Sequence, residues 1–428
     1  MVRMSASLLS APLLFTPTSN VLAHVGRCVI LARELQRRGH RVAFAGLPKY
    51  LADSNVVSPG EFECYDLPDF DLEEGLEILR TVRKRPSNRA IEANIAAEQR
   101  LFATLKPRAV IVDFRPTVYI SARLQRLPLI ALLGGRWLYQ YAATPYAAFR
   151  TYAHYAVLSK LVGTRGADWL MPPLQRLAMR YKMRPMARAF KRHGLPPRST
   201  PWDMLVGDYN LVLDTDLMCP TKPLPHNFAK VGPIFWSPAE SLPPWVPELQ
   251  QRRPLIYVTM GSTAHPALFR ALLQVFRGLR AHVLMTTGGQ IALRAEEIPP
   301  NVRVEKYLPG EQVMAHVDLV IHHGGAGTVY QTISAAKPSI AVATHFEQEI
   351  VGGILATQGA GIFLTMRDVL RHPGMLKHAV ETMLQEPSAF EKSIRTLQAE
   401  LQRYNPVPRA ADHIEAFLRD AVGSKWPR

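Results

Sequence analysis

The chain has 428 residues, 47% of them hydrophobic, and a formal net charge of +16. That length exceeds what one ordinary core supports, so two domains are expected. Three cysteines without paired spacing (Cys28, Cys64, Cys219) exclude a disulfide framework and suit a reducing cytoplasm, and the lack of any run of about 18 apolar residues excludes a membrane-spanning helix.

The opening stretch MVRMSASLLSAPLLFTPTSN carries a short apolar run broken by Pro12 and Pro17, and reads as a first strand rather than a leader. LLFTP, RVAFAG, AVIVDF and PLIALLG read as short apolar strands. Between the first two lies HVGRCVILARELQRRGH. Its Val29, Leu31, Ala32 and Leu35 fall at helical spacing, with Arg33, Glu34, Arg37 and Arg38 opposite, and Gly39 ends it. Strand, helix, strand at this spacing predicts a parallel sheet. His24 stands where the first strand gives way to this helix; a surface or capping role is the plain alternative to chemistry there. Asp113 ends AVIVDF. A carboxylate at a strand's carboxyl end points toward a cleft, although capping of the next segment would also account for it.

Residues 137–200 read as helices with breaks marked by proline. Residues 151–198 hold ten Lys or Arg against one acid, Asp168, with Leu, Met and Phe interleaved. A basic amphipathic surface of this kind fits an anionic membrane face, and a solvated helical face is the alternative. Arg interleaved with aromatics would also stack bases, but no nucleic-acid-binding module is present, so no nucleic-acid partner is expected.

NLVLDT and KVGPIF read as further strands. The proline-rich stretch WSPAESLPPWVPELQQRRP reads as a linker. A second α/β series follows, with strands in PLIYVTMGS, HVLMTTGG, VRVEKYL, VDLVIHH and SIAVATHF, and RAADHIEAFLRDAVG reads as a terminal amphipathic helix. The expected organisation is a first Rossmann-like domain over 1–235, a linker over 236–253, a second Rossmann-like domain over 254–405 and a C-terminal helix over 406–428 that crosses back. In such doubly wound sheets ligands bind beyond the carboxyl ends of the strands.

The most informative stretch is VIHHGGAGTVYQ, residues 320–331. A strand ends here and a helix starts near Ala326 to Thr328, so Gly324, Gly325 and Gly327 occupy the turn. Glycine permits close approach of backbone to a ligand, and the first N–H groups of a helix make an anion site that suits a diphosphate. Neither a GK[ST] nor a GxGxxG pattern is present. A plain glycine-rich turn is the alternative.

The longer segment HVDLVIHHGGAGTVYQTISAAKPSIAVATHFEQ resembles the nucleotide-sugar signature of family 1 glycosyltransferases, the UDP-glycosyltransferase superfamily with the GT-B fold. The similarity extends through YVTMGS and PPNVRVEKYLPGEQVM, and back to AHVGRCVILARELQRRGH, covering most of the chain except roughly 135–200. It implies two facing Rossmann-like domains with a cleft between them. It also places the donor phosphates at His323, Gly327 and Thr328, with help from Gly261 and Ser262. Tyr307 becomes the stacking partner of the base, and Glu347 and Gln348 the partners of the sugar hydroxyls. Taken alone, Tyr307 also reads as a strand aromatic, Ser262 as a helix cap, and Glu347 and Gln348 as solvated loop residues. Two positions depart from the pattern: Gln331 stands where many members carry a ribose-binding Glu, and Val351 where Asn is frequent.

The resemblance further implies an inverting transfer. His24 would be the general base, with Ala23 in place of the usual Gly, and Asp113 its orienting carboxylate. The co-substrate would be a UDP- or dTDP-linked hexose, and the acceptor a hydroxyl of a lipophilic small molecule or lipid. No cofactor and no divalent metal are expected, and the DTD at 214–216 is discounted as a metal site. The expected location is cytoplasmic, with peripheral contact at the inner membrane face through 151–198. A UDP-sugar epimerase or hydrolase, or a non-catalytic membrane-surface binding protein, would share the architecture.

Overall fold

Short apolar runs bounded by turns become strands here because each is buried on both faces by helices. The computed structural model describes residues 11–47, 56–81, 84–138, 150–237, 241–249, 251, 253–261 and 265–423. The first sheet contains β1 (Leu13–Pro17), β2 (Val42–Ala45), β3 (Glu63–Tyr65), β4 (Ala109–Asp113), β5 (Leu129–Leu133), β6 (Tyr209–Val212) and β7 (Phe228–Lys230). Its spatial order is β3-β2-β1-β4-β5-β6-β7. The second contains β8 (Leu255–Thr259), β9 (His282–Thr286), β10 (Val302–Glu305), β11 (Leu319–His322), β12 (Ser339–Ala343) and β13 (Gly361–Thr365), in the order β10-β9-β8-β11-β12-β13. Every pairing is parallel.

Helices α1 (Leu22–Arg37), α3 (Ala153–Arg192), α4 (Ala326–Ser334), α5 (Phe346–Thr357) and α6 (Pro406–Gly423) frame the crevice or fasten its two halves, and α2 (Asn88–Leu105) packs against α3. Helix α1 buries Val25, Cys28, Val29, Leu31, Ala32 and Leu35 on one side. Helix α6 follows the second sheet in sequence yet packs on the first: Ala410, Ala411, Ile414, Phe417 and Leu418 join the same cluster as Val25, Leu31 and Phe44. Arg38 and His40 fasten it there through Glu415, at 3.0 and 2.9 Å.

The expected break at Pro196 and Pro197 follows the end of α3, but those expected at its inner prolines do not occur. Pro172, Pro173 and Pro185 lie inside α3, and the one non-helical residue there is Gly163, with φ 73° and ψ 167°. Glycine tolerates that positive φ where proline, locked near −65°, cannot adopt it. The strand expected over KVGPIF lies earlier, at Phe228–Lys230, because Gly232 takes φ 96° and Pro233 has no N–H to donate. Two strands, β3 and β13, have no counterpart among the strands expected from sequence. Both lie at sheet edges and carry exposed or half-buried positions that blur the apolar signal.

Candidate active site

In an open parallel sheet the carboxyl ends of the strands leave a crevice where the strand order reverses. That point lies between β1 and β4 in the first sheet and between β8 and β11 in the second. Pro17 is level with Asp113 in one, and Thr259 with His322 in the other. The two crevices open on one cavity of about 490 Å³ lined by both halves of the chain.

His24 sits in the first turn of α1 and lines this cavity. Its Nδ1 lies 2.7 Å from Oδ1 of Asp113, which is wholly buried at the end of β4. Asp113 therefore does not cap the following segment; its carboxylate is spent on His24 and Arg27. Arg27, one helical turn beyond His24, donates through Nε to Oδ2 and through Nη2, at 2.6 Å, to Oδ1. Burial alone would push the Asp113 carboxyl up, but Arg27 and His24 outweigh it and hold it down at about 2. Nδ1 of His24 thus meets the Asp113 carboxylate and, at 2.6 Å, Nη2 of Arg27, and Nε2 is the ring nitrogen without a protein partner among the described residues. Phe114 adds a further constraint: it takes φ 53°, rare for a bulky residue, and its ring stacks on His24 at 5.5 Å. Trp137 closes on Phe114 at 5.2 Å.

In the second half, α4 begins at Ala326 with Gly325 as N-cap, no side-chain cap and no acid in its first turn. Its first N–H groups thus keep their positive end for the cavity. A Cβ on Gly327 would meet nothing within 4 Å, whereas one on Gly324, at φ 82°, would lie 2.7 Å from the Gln348 carbonyl oxygen. The His323 ring is wedged between two glycines: a Cβ on Gly261 would come within 2.7 Å of it, and one on Gly325 within 2.3 Å. Burial pulls its pKa down to about 4, so the ring is neutral, and its Nδ1 has no partner. His322, its neighbour, points the other way into the core, accepting from the Gly324 N–H at 2.9 Å and bonding Ser339 Oγ at 2.9 Å.

Tyr307 is 57% exposed, and its hydroxyl donates to the Gly288 carbonyl at 3.0 Å, which leaves a ring face on the cavity wall. Gln331 donates through Nε2 to the Trp236 carbonyl at 3.1 Å. Gln348 accepts at Oε1 from the N–H and hydroxyl of Thr344, both at 2.9 Å. Glu347 is paired with Arg136 from the first half. Burial raises its carboxyl, but Arg136, His345 and His24 together hold it at about 2. The structure thus brings His24, Gly261, Tyr307, His323, Gly324, Gly325, Gly327, Thr328, Gln331, Glu347 and Gln348 to one cavity, with Asp113 directly behind His24. Ser262 lies outside the described residues, as does 139–149 of the expected acceptor segment. Asp214 and Asp216 of the DTD are occupied by Tyr330, Gly135, Lys230 and Tyr404.

Several residues here are not legible in the sequence. Arg27 is the most consequential; its only sequence signal is its position one turn after His24. Arg136, Phe114 and His345, whose buried Nδ1 also lacks a partner, give no local signal. On the side of the first sheet the wall is made by Phe70, Phe114, Trp137, Met179, Met183 and Met186, with Lys182 among them. Burial brings the Lys182 ammonium down to about 8.

These imidazoles predict acid sensitivity. Burial lowers His322 to about 3, and His323 and His345 to about 4. Each is below its unfolded value of about 6.5, so the unfolded chain takes up protons first. Their contribution is complete above about pH 6.5 and is lost as pH falls toward 4. Glu349, raised to about 7 by burial, works in the opposite direction and offsets about one of the three, and Glu98, also raised by burial, adds to that offset. Denaturant unfolding is therefore expected to lose up to about 2.7 kcal/mol per pH unit between pH 6.5 and 5. A flat profile across that interval would remove the neutral-histidine assignment.

Comparison with known proteins gives the chain's family and fold. The family described as erythromycin biosynthesis protein CIII-like, C-terminal domain, matches residues 270–415. A PGL/p-HBAD biosynthesis glycosyltransferase of Mycobacterium tuberculosis is 30% identical over 356 residues, 82% of this chain and 80% of its own. A PGL/p-HBAD biosynthesis rhamnosyltransferase of Mycobacterium bovis is also 30% identical, over 82% of this chain and 76% of its own. Among solved structures, the spinosyn rhamnosyltransferase SpnG complexed with thymidine diphosphate is similar in fold, with a TM-score of 0.65 at 16% identity, over 95% of this chain and 99% of that one.

Proposed function

The chain belongs to the family 1 glycosyltransferases of macrolide type, with the GT-B fold, and from that premise we propose that it moves a hexose or deoxyhexose from a pyrimidine nucleoside diphosphate to a hydroxyl of a lipophilic acceptor. The observation that carries this reading is the meeting, in one cavity, of a His–Asp pair from the first half and an uncapped helix N-terminus from the second. UDP and dTDP both suit a single Tyr307 platform. The rhamnosyltransferase relative favours a deoxyhexose donor.

In the proposed reaction the acceptor hydroxyl gives its proton to Nε2 of His24 as its oxygen bonds the anomeric carbon. The bond from that carbon to the diphosphate oxygen breaks on the opposite face, so configuration inverts. Asp113 stabilises the imidazolium that forms, and the Arg27 guanidinium keeps that carboxylate ionised. The departing diphosphate meets the N–H groups at Gly327 and Thr328, beside the neutral His323 ring. The Gln331 Oε1 is proposed for the ribose. Glu347 and Gln348 are proposed for the sugar, with Glu347 held in place by Arg136. No metal takes part in this scheme. The acceptor enters against Phe70, Met179, Met183 and Met186, where apolar surface dominates.

The test is release of nucleoside diphosphate from UDP- and dTDP-sugars in EDTA, with and without an alkylphenol series. Acceptor-dependent release that rises with chain length is expected. Release at the same rate without acceptor would make the protein a hydrolase instead.

A further inference from the structure

Helix α3 belongs to neither sheet and has two different sides. One is internal: Tyr155, Met171, Gln175, Met179 and Met186 are buried, and Met179, Lys182, Met183 and Met186 reach the cavity wall. The other carries a concentration of apolar side chains in water. Of the eleven large hydrophobic residues exposed among the described residues, seven lie in this one helix. Trp169 is 77% exposed, Leu161 76%, Leu177 66% and Val157 61%. Scattered exposed leucines are ordinary, but a contiguous group with a tryptophan marks a contact surface.

The spacing gives this surface a direction. Trp169, Pro173 and Leu177 follow at intervals of four, so they share one stripe, with Leu174 beside it. Arg176, Arg180, Arg184 and Arg188 continue at the same interval, all exposed. The guanidiniums of Arg184 and Arg85 lie over the Tyr181 ring, at 5.4 and 4.6 Å. The one acid of residues 151–198, Asp168, is already bonded by Arg150 at 2.8 Å and by the Tyr155 hydroxyl at 2.7 Å. The face therefore offers apolar bulk first and unopposed cations next to it. No helix among the described residues is long and apolar enough to cross a membrane.

We propose that the outer face of α3 beyond Gly163 is a docking surface for an anionic lipid bilayer, with Trp169, Leu174 and Leu177 entering the interface and Arg176, Arg180, Arg184 and Arg188 meeting lipid phosphates. Apolar side chains flanked by arginines, without free acids, are the complement of an anionic headgroup layer. A protein partner would be expected to meet such a row of arginines with acids of its own, and this chain's net charge of +16 argues against a second copy filling that role. The placement also serves the reaction. The opposite side of the same helix lines the acceptor wall, so a lipophilic acceptor held in the leaflet is about one helix diameter from the cavity. Only this last point rests on the lipophilic acceptor proposed above; docking itself needs neither donor nor acceptor.

The experiment is co-sedimentation of the full chain with phosphatidylcholine vesicles and with vesicles that also contain phosphatidylglycerol, in the absence of any sugar nucleotide. Binding is expected only with the anionic lipid and is expected to weaken as salt is raised. Arg176→Glu with Arg180→Glu should weaken it at least about 25-fold, at about fivefold for each arginine. Trp169→Ser with Leu177→Ser should abolish what remains at high salt. All four positions are exposed, so folding is preserved, and circular dichroism checks it. Equal sedimentation with and without phosphatidylglycerol, or variants indistinguishable from the parent, overturns the proposal. A parent chain that is dimeric by light scattering, becomes monomeric in Trp169→Ser with Leu177→Ser and ignores both vesicles also overturns it, in favour of self-association. Because no reaction is assayed, failure here is distinct from failure of the glycosyl transfer.

Discussion

His24→Ala is expected to lower kcat by about 10³ while leaving nucleotide affinity within about twofold. The size follows from the role proposed for the ring. A hydroxyl attacking an anomeric carbon must lose its proton in the transition state, and a positioned base contributes about 10² to 10⁴. His24 is well placed for this, because Asp113 holds its Nδ1 and Phe114 its plane, with Nε2 left over. Alanine is the cleaner test than a change at Asp113. The Asp113 carboxylate is also the partner of Arg27, so Asp113→Asn would leave a buried guanidinium without its counter-charge. Its effect would combine lost catalysis with lost stability. A His24→Ala chain with kcat within tenfold of the parent would remove His24 from the reaction and leave the dyad a structural pair.

Arg136→Met is expected to destabilise the fold by about 3 kcal/mol and to weaken donor-sugar binding. Arg136 reaches from the turn after β5 to Glu347 at the start of α5, and both side chains are mostly buried, at 10% and 19% exposure. The two halves meet here, and the pair is reinforced by Tyr330 donating to Asp214 at 2.8 Å and by Glu349 accepting from Thr151 at 2.8 Å. Methionine keeps the bulk and removes the charge, so the Glu347 carboxylate is left in the cavity without its strongest partner. Adding Glu347→Gln should recover most of the stability but not the sugar selectivity. Thermal unfolding of the parent, both single variants and the double variant gives the coupling directly. An additive cycle, with no recovery in the double variant, would mean that the pair does not hold the halves together.

The readable parts of this protein are those encoded over short stretches of chain. The apolar run LLFTP, the amphipathic HVGRCVILARELQRRGH and the run VDLVIHH before its glycines each carry a period or a turn signal within about 20 residues. They mark β1, α1, β11 and α4, and with them the places of His24 and His323. What stays hidden is pairing across distance. Arg27 meets Asp113 86 positions away, Arg136 meets Glu347 211 away, and Tyr330 meets Asp214 116 away. No local pattern distinguishes such an arginine from a solvated one; the sheet order has to bring the partners together first. The same reason hides Phe114. Its positive φ is imposed by the closing of β4 against His24 and Trp137, and a phenylalanine carries no sequence signal for that backbone state. The prolines of α3 mislead in the opposite sense: they suggest breaks that the helix passes through, while Gly163 supplies the real one.

The central claim is that the cavity between the two sheets holds a pyrimidine nucleoside diphosphate at the glycine turn before α4. Calorimetric titration of the purified chain with UDP and with dTDP, in EDTA, tests it most directly. The account predicts one-to-one binding of at least one nucleotide without metal, weakened about tenfold or more in His323→Ala and in Gly325→Ala, whose Cβ would displace the His323 ring. Absence of heat with both nucleotides, or binding that is indifferent to both substitutions, would contradict it.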